Sequence, residues 1–188
     1  MADYRFLTMI EIPVSRERVW AEVAAPERWV TWWPGLLEVD KLQAGDAEGR
    51  GALLEFVFRS RLPYTLSFRG RVTRLEVPRR MDIEAVGELE GLAVFELDDL
   101  GRATRMRLTW TVKTTKIWMN LLAPIARPFF VWNHDVLMKA GARGLARKLG
   151  TEVIRMEPSH PSRRFLVVPA TAVAAVWLWK RARPRIWR

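Results

Sequence analysis

The chain has 188 residues, 49% of them hydrophobic and ten of them tryptophan, which suits one domain of about 150 residues with an appendage. It has no cysteine and only His134 and His160, so disulfides, thiolate sites and multi-histidine metal sites are excluded. Nothing marks a carboxylate site, and neither metal nor cofactor is expected. The net charge of +10 is unevenly placed, because residues 160–188 hold seven basic residues and no acid, leaving the remainder nearly balanced.

The N-terminus, MADYRFLTMIEI, has charges inside its first apolar run and no secretory pattern, which predicts a cytoplasmic protein. Asp3–Ile12 is rich in strand formers and predicts a first strand, ended by Pro13. Ser15 is a good N-cap for a helix Arg16–Ala25, in which Val19, Trp20 and Val23 share the buried side. After Pro26, the stretch ERWVTWWP (Glu27–Pro34) holds three tryptophans in eight residues. Such a cluster reads either as a lid on one end of a core or as the wall or gate of a cavity.

From Gly35 to Thr115 the hydrophobic period becomes two. Leu36–Leu42, Ala52–Arg59, Tyr64–Val77, Met81–Glu88, Gly91–Leu97 and Ala103–Thr115 read as strands joined by short turns. Their inward sets include Leu54, Phe56 and Phe58, then Tyr64, Leu66, Phe68 and Gly70, and in the last strand Met106, Leu108 and Trp110. Clean alternation with short connections predicts an antiparallel meander with one wet face.

A short helical turn over Trp118–Ala123 then leads to Pro128–Leu149, PFFVWNHDVLMKAGARGLARKL. Pro128 suits a first helical position. Phe130, His134, Leu137, Met138, Gly141 and Leu145 recur at three- and four-residue steps and share the inner face. Asp135, Lys139, Arg143 and Arg147 follow at four-residue steps on the opposite face, with Asp135 placed to pair with Lys139. Gly141 and Gly144 leave room on this helix, which predicts a cavity between it and the strands. The fold class is therefore α+β, one curved antiparallel sheet wrapped around a long C-terminal helix. The domain occupies residues 1–150, a linker 151–162, and an apolar, basic tail 163–188.

Four stretches in this order, VSRERVW (Val14–Trp20), PERWVTWWPG (Pro26–Gly35), GELEG (Gly87–Gly91) and WNHD (Trp132–Asp135), precede the end of the long helix. With them the chain resembles the START/Bet v 1-like (SRPBCC) superfamily, and within it the bacterial polyketide cyclase/dehydrase-type group. The resemblance runs from about Asp3 to Leu149 and implies a helix-grip fold. It implies two kinds of activity, carriage of a hydrophobic molecule or lipid and aromatase/cyclase or dehydratase chemistry; the fold has no single catalytic signature, so the residues must decide.

An acid–base enzyme needs a titratable group within reach of its substrate. The inward sets offer His134, flanked by Asn133, and Tyr64, which together form the candidate catalytic pair. The bland alternative is that His134 bonds a backbone carbonyl and fixes the helix. Glu88 and Glu90 read as a solvated hairpin or a rim. Nucleophile-elbow, phosphate-loop, dinucleotide and zinc-helix signatures are absent. What remains is an apolar cavity lined by Phe56, Phe58, Tyr64, Leu66, Phe68, Ile83, Phe95, Trp110, His134, Leu137 and Gly141, suited to binding a hydrophobic small molecule or lipid. The enzyme reading stays open beside it, and the oligomeric state is not legible.

In the tail, Phe165–Trp179 is 15 residues without a charge, bracketed by Arg163-Arg164 and Lys180-Arg181. That run falls short of the about 20 residues needed to span a bilayer. Trp177, Trp179 and Trp187 sit at its basic end, as interfacial anchors do. Phe165, Trp177, Trp179, Lys180 and Arg181 are thus the expected membrane contacts, and a helix lying in the cytoplasmic face of a membrane is the reading. The alternative is an apolar helix that docks on the domain or on a second subunit. Nucleic acid is not expected as a partner, because the centre of the tail is apolar.

Overall fold

The computed structural model describes residues 3–59, 65–115 and 117–157, with the side chains of residues 114, 117–127 and 129 outside the description. Tyr64 and the whole tail 163–188 lie outside the described residues. Eight strands form one antiparallel sheet: β1 (Asp3–Ile12), β2 (Leu36–Gln43), β3 (Leu53–Arg59), β4 (Thr65–Glu76), β5 (Arg80–Gly87), β6 (Leu89–Asp99), β7 (Thr104–Thr114) and β8 (Arg155–Glu157). Their order across the sheet is β2-β3-β4-β5-β6-β7-β1-β8. Helix α1 (Arg16–Val23) and a 3-10 turn (Pro26–Thr31) lie between β1 and β2, and helix α2 (Ile117–Lys148) follows β7. This is the helix-grip arrangement that the alternation predicts.

The pleat decides which residues face α2, because neighbouring residues point to opposite faces. Inward residues line up across strands as the register requires, for example Phe6 opposite Trp110, Trp110 opposite Ala93, and Ala93 opposite Ile83. The next row is Thr8, Leu108, Phe95 and Met81. On the outer face, Arg80 donates to both oxygens of Asp82 at 2.8 and 3.0 Å and reaches Glu96 at 3.6 Å. Charges of alternating sign on neighbouring strands thus satisfy the solvent side. Two register shifts interrupt the edge strand β2, next to Leu36 and Lys41, and such bulges blunt an edge that would otherwise template another strand.

Two elements differ from the sequence reading. The segment 151–162, read as a linker, contains β8, whose residues Arg155, Met156 and Glu157 pair with Glu11, Ile10 and Met9. Three residues with no alternation to speak of carry too little pattern to be recognised as a strand. The helix expected to open at Pro128 opens at Ile117 and stays helical through both Pro124 and Pro128. Each proline forgoes one backbone bond. At four-residue spacing the two lost bonds fall on one side of the helix, so the ladder on the other sides continues. Ser15 is the N-cap of α1, as expected, through backbone geometry alone, with no side-chain capping bond.

Candidate functional site

The site grows from the contact between the tryptophan segment and α2. Trp29, Trp32 and Trp33 are all buried. The Trp29 indole N–H donates to the Val23 carbonyl at 3.1 Å, and the Trp33 indole N–H donates to the Leu137 carbonyl of α2 at 3.0 Å. Trp33 can come this close because the residue one turn beyond Leu137 is Gly141. A Cβ there would meet the Trp33 ring at 2.6 Å. At Gly144 a Cβ would meet the Trp32 carbonyl oxygen at 1.6 Å. The two glycines therefore cut a notch in the helix that takes one indole and one stretch of backbone. The space that their small size leaves is real, and Trp33 sits in it.

From this notch the aromatic rings run on without a break. Trp33 stacks on Trp32, meets Trp29 and packs edge-on against Phe58. Phe58 and Phe56 both stack on Phe68, and Phe68 meets Trp110 at 5.6 Å. Trp110 packs edge-on against His134, which stacks on Phe6 with ring centroids 3.9 Å apart. Offset and edge-on pairs of this kind add about 0.5–1.5 kcal/mol each beyond the area they bury.

Two small cavities, each of about 30 Å³, lie on either side of Trp29 and Trp33. One is bounded by Thr8, Ile10, Met106, Met138, Gly141 and Leu145, among others. The other is bounded chiefly by Phe56, Phe58, Phe68, Ile83, Ala85 and Trp110. Trp29, Trp33, Phe95 and Leu108 belong to both linings. Of the residues singled out from sequence, Phe56, Phe58, Phe68, Ile83, Phe95 and Trp110 line the second cavity and Gly141 the first. Leu66, Asn133, His134 and Leu137 bound neither. The residues missing from the expected lining are the tryptophans of ERWVTWWP, whose signal was the cluster itself.

Polar groups are few. Thr8 is the one hydroxyl in either lining. The indole N–H groups of Trp32 and Trp110 are buried without a hydrogen-bond partner among the described residues. His134 is 9% exposed and sits beside Trp110 rather than in the cavity wall, with its Nδ1 3.4 Å from Asp135 Oδ1. Asp135 thus meets His134, and among the described residues it makes no ion pair with Lys139, the partner that helical spacing offers. Glu88 accepts a bond from the Ser67 backbone N–H at 3.1 Å and serves the hairpin, away from the cavities. Among the described residues no three His, Asp or Glu side chains gather in a way that would hold a metal ion.

One charged contact ties the tryptophan segment to the sheet, Lys41 to Glu27 at 2.7 Å. Burial works to raise the Glu27 pKa, but the hydrogen bond from Lys41, its own backbone N–H and the charges of Lys41 and Arg28 together hold it below the ordinary value. A lowered carboxylate pKa stabilises the fold above the unfolded pKa, and that contribution fades as pH falls through the folded value. Both side chains are about 40% exposed, and pairs this wet are worth little. The notch, not the ion pair, holds the segment.

Residues 5–150 match the family described as polyketide cyclase / dehydrase and lipid transport. The chain belongs to that family. Solved structures of the same fold include the Zhui aromatase/cyclase from Streptomyces sp. R1128, at 12% identity and a TM-score of 0.67, covering 79% of this chain and 94% of that one. A START superfamily protein from Mycobacterium smegmatis is similar at 15% identity and a TM-score of 0.64, covering 78% and 97%. Norcoclaurine synthase from Thalictrum flavum, solved with dopamine and hydroxybenzaldehyde, is similar at 10% identity and a TM-score of 0.55, covering 79% and 87%. No match was found among curated proteins. At such identities the family member shares its neighbours' fold and nothing finer.

The notch makes a prediction in which two effects have opposite signs. Helix propensity alone makes glycine-to-alanine in a helix interior stabilising by about 1 kcal/mol. Overpacking costs about 1–3 kcal/mol when a ring has to shift, and more when backbone does. Gly141→Ala is therefore expected to lower the melting temperature modestly and to change the near-UV tryptophan dichroism. Gly144→Ala, whose Cβ meets a carbonyl oxygen, is expected to lower it much further. Denaturant unfolding of both variants measures the difference.

Proposed function

We propose that this family member binds and carries a hydrophobic small molecule or lipid inside the grip of sheet and helix. The observation that carries the reading is the make-up of the two cavity linings, which are aromatic and aliphatic with Thr8 as the one hydroxyl and no acid or base. Apolar burial binds such a ligand at about 25 cal/mol per Å² removed from water, with no charge to neutralise. Ligand pockets usually measure about 300–1,000 Å³, far more than either cavity. On this reading, binding displaces the Trp29–Trp33 wall and joins the two spaces. The wall then acts as an internal plug that the ligand replaces.

A second reading, a cyclase or dehydratase, is favoured by one observation. His134 lies one ring away from the second cavity, against Trp110, with a carboxylate 3.4 Å from its Nδ1. A carboxylate there would orient the imidazole, and Tyr64 would be the partner acid. Carriage is the better supported of the two, since His134 does not bound either cavity.

For the tail we infer attachment to an anionic membrane surface through residues 163–188. Among the described residues no helix is long and apolar enough to cross a membrane. The inference rests on the uncharged run Phe165–Trp179, the flanking tryptophans and the seven basic residues. An apolar contact and a basic patch are the two signals that stable attachment generally requires.

Three measurements test these readings. Trp33→Ala removes the plug at a cost of about 3–5 kcal/mol of stability. It is expected to tighten binding of an apolar fluorescent dye severalfold, whereas unchanged affinity would mean the cavities are packing defects and not a ligand site. With any compound that the purified protein turns over, His134→Gln is expected to abolish turnover if the enzyme reading holds, and an unreduced rate dismisses it. In cell fractionation the full chain is expected to pellet with membranes and a chain ending at Glu157 to stay in the supernatant. Both in the supernatant would return the tail to the docking or dimerisation reading.

A further inference from the structure

We propose that the notch in α2 is the ligand's own seat: the molecule carried takes the place of the Trp33 indole, and it is a planar ring compound whose hydroxyl donates to the Leu137 carbonyl. The proposal rests on the carriage reading and deepens it by naming the class of molecule. Trp33 shows what the place accepts. The pyrrole edge of its indole lies over Gly141, where a Cβ would meet Cε2 and Nε1 at 2.6 Å and Cδ1 at 3.0 Å. The indole N–H donates to the Leu137 carbonyl at 3.0 Å. The ring stacks on Trp32, with centroids 5.6 Å and planes 11° apart, and meets Phe58 edge-on at 5.7 Å. This place therefore takes a flat ring with a donor at its edge.

Of the two tryptophans that divide the cavities, Trp33 is the one placed to leave. Trp29 lies within the 3-10 turn, and its N–H is bonded to the Val23 carbonyl at the end of α1. Trp33 lies in the stretch 32–35, which belongs to no helix or strand. Rotation of its side chain unpairs no strand, and it enlarges both cavities because the ring borders each of them. What it costs is the bond to Leu137 and the stack on Trp32.

Those two losses specify what a ligand must supply. A ring restores the contacts with Trp32 and Phe58 like for like, whereas an acyl chain fills the volume and offers the Trp32 face nothing to stack on. A donor on the ring replaces the N–H that the Leu137 carbonyl gives up, and a buried polar group left unbonded is costly. Trp32 adds a second requirement. It is 8% exposed, borders the first cavity together with Gly141, and has no hydrogen-bond partner for its own N–H among the described residues. Beside an unused donor and a vacated acceptor, a hydroxyl suits better than an N–H, because it accepts as well as donates. Among the described residues no acid or base lines either cavity, so the ligand is uncharged.

Calorimetric titration of the full chain tests this with three uncharged probes. 2-Naphthol has the ring and the donor, 2-methoxynaphthalene keeps the ring and loses the donor, and 1-decanol keeps the hydroxyl on a chain. 2-Naphthol is expected to bind about tenfold tighter than either of the others, the size of one buried hydrogen bond or one ring pair. Equal affinity for 2-methoxynaphthalene overturns the bond to Leu137, and equal or tighter binding of 1-decanol overturns the ring; both outcomes leave carriage standing. If an apolar dye binds and none of the three probes does, this proposal alone falls, and if nothing binds, carriage falls with it. Gly141→Ala adds a reading that depends on sign. Its methyl disturbs Trp33 and also obstructs any ring that takes its place, so 2-naphthol is expected to bind about tenfold weaker. Tighter binding would mean that the variant only loosens a plug and that the ligand sits elsewhere, which overturns the seat.

Discussion

The interior of this protein is organised by one close approach, the Trp33 indole seated on α2 at Gly141 with its N–H on the Leu137 carbonyl. The bond is available only because no Cβ intervenes, and the neighbouring backbone of Trp32 lies in contact with the helix at Gly144 for the same reason. This fixes the distance between helix and tryptophan segment, and so the depth of the space between helix and sheet. Trp29 and Trp33 then divide that space, the aromatic rings of β3 and β6 pack against the division, and those of β4 and β7 pack behind the rings of β3. A ligand larger than a few atoms has to compete with this packing. On the carriage reading, ligand affinity and domain stability are coupled through the same indoles.

What the sequence made legible follows from how local each signal is. Alternation over eight to twelve residues is a strong pattern, and the inward faces of β3 through β7 could be written down from it, including Phe56, Phe58, Phe68 and Trp110. The fold followed, because strands with short turns and one long amphipathic helix admit few arrangements. The tryptophan cluster was legible as a wall but not as a plug. Its docking depends on a notch more than a hundred residues away, which no local period reveals. The glycines of α2 were recognised as room, yet the occupant of that room was a tertiary fact. β8 was too short to carry a pattern. Asp135 was assigned by helical spacing to Lys139, whereas it meets His134.

The chemistry available to the interior is set by what the alternation excludes. Inward positions on seven strands hold almost no titratable group, so the interior offers area and shape rather than charge. Such a site discriminates poorly between similar apolar ligands, since a methylene in an apolar pocket is worth only about 1–3 kcal/mol. The unpartnered indole N–H groups of Trp32 and Trp110 are the exceptions. A buried donor left unbonded costs about 1–3 kcal/mol, and a ligand bearing an acceptor at the right place would recover part of it.

The two ends of the helix differ in composition. Toward its C-terminus α2 has a charged outer face, and the Leu149 carbonyl just past its end accepts a bond from Arg18 of α1 at 3.1 Å, so this half is fastened to protein. Its first half has two prolines and no charge before Arg127. A helix of 32 residues is about 48 Å long at 1.5 Å per residue, whereas the longest strand here has 12 residues and reaches about 40 Å at 3.3 Å per residue. The helix is thus longer than any single strand of the sheet that it packs on.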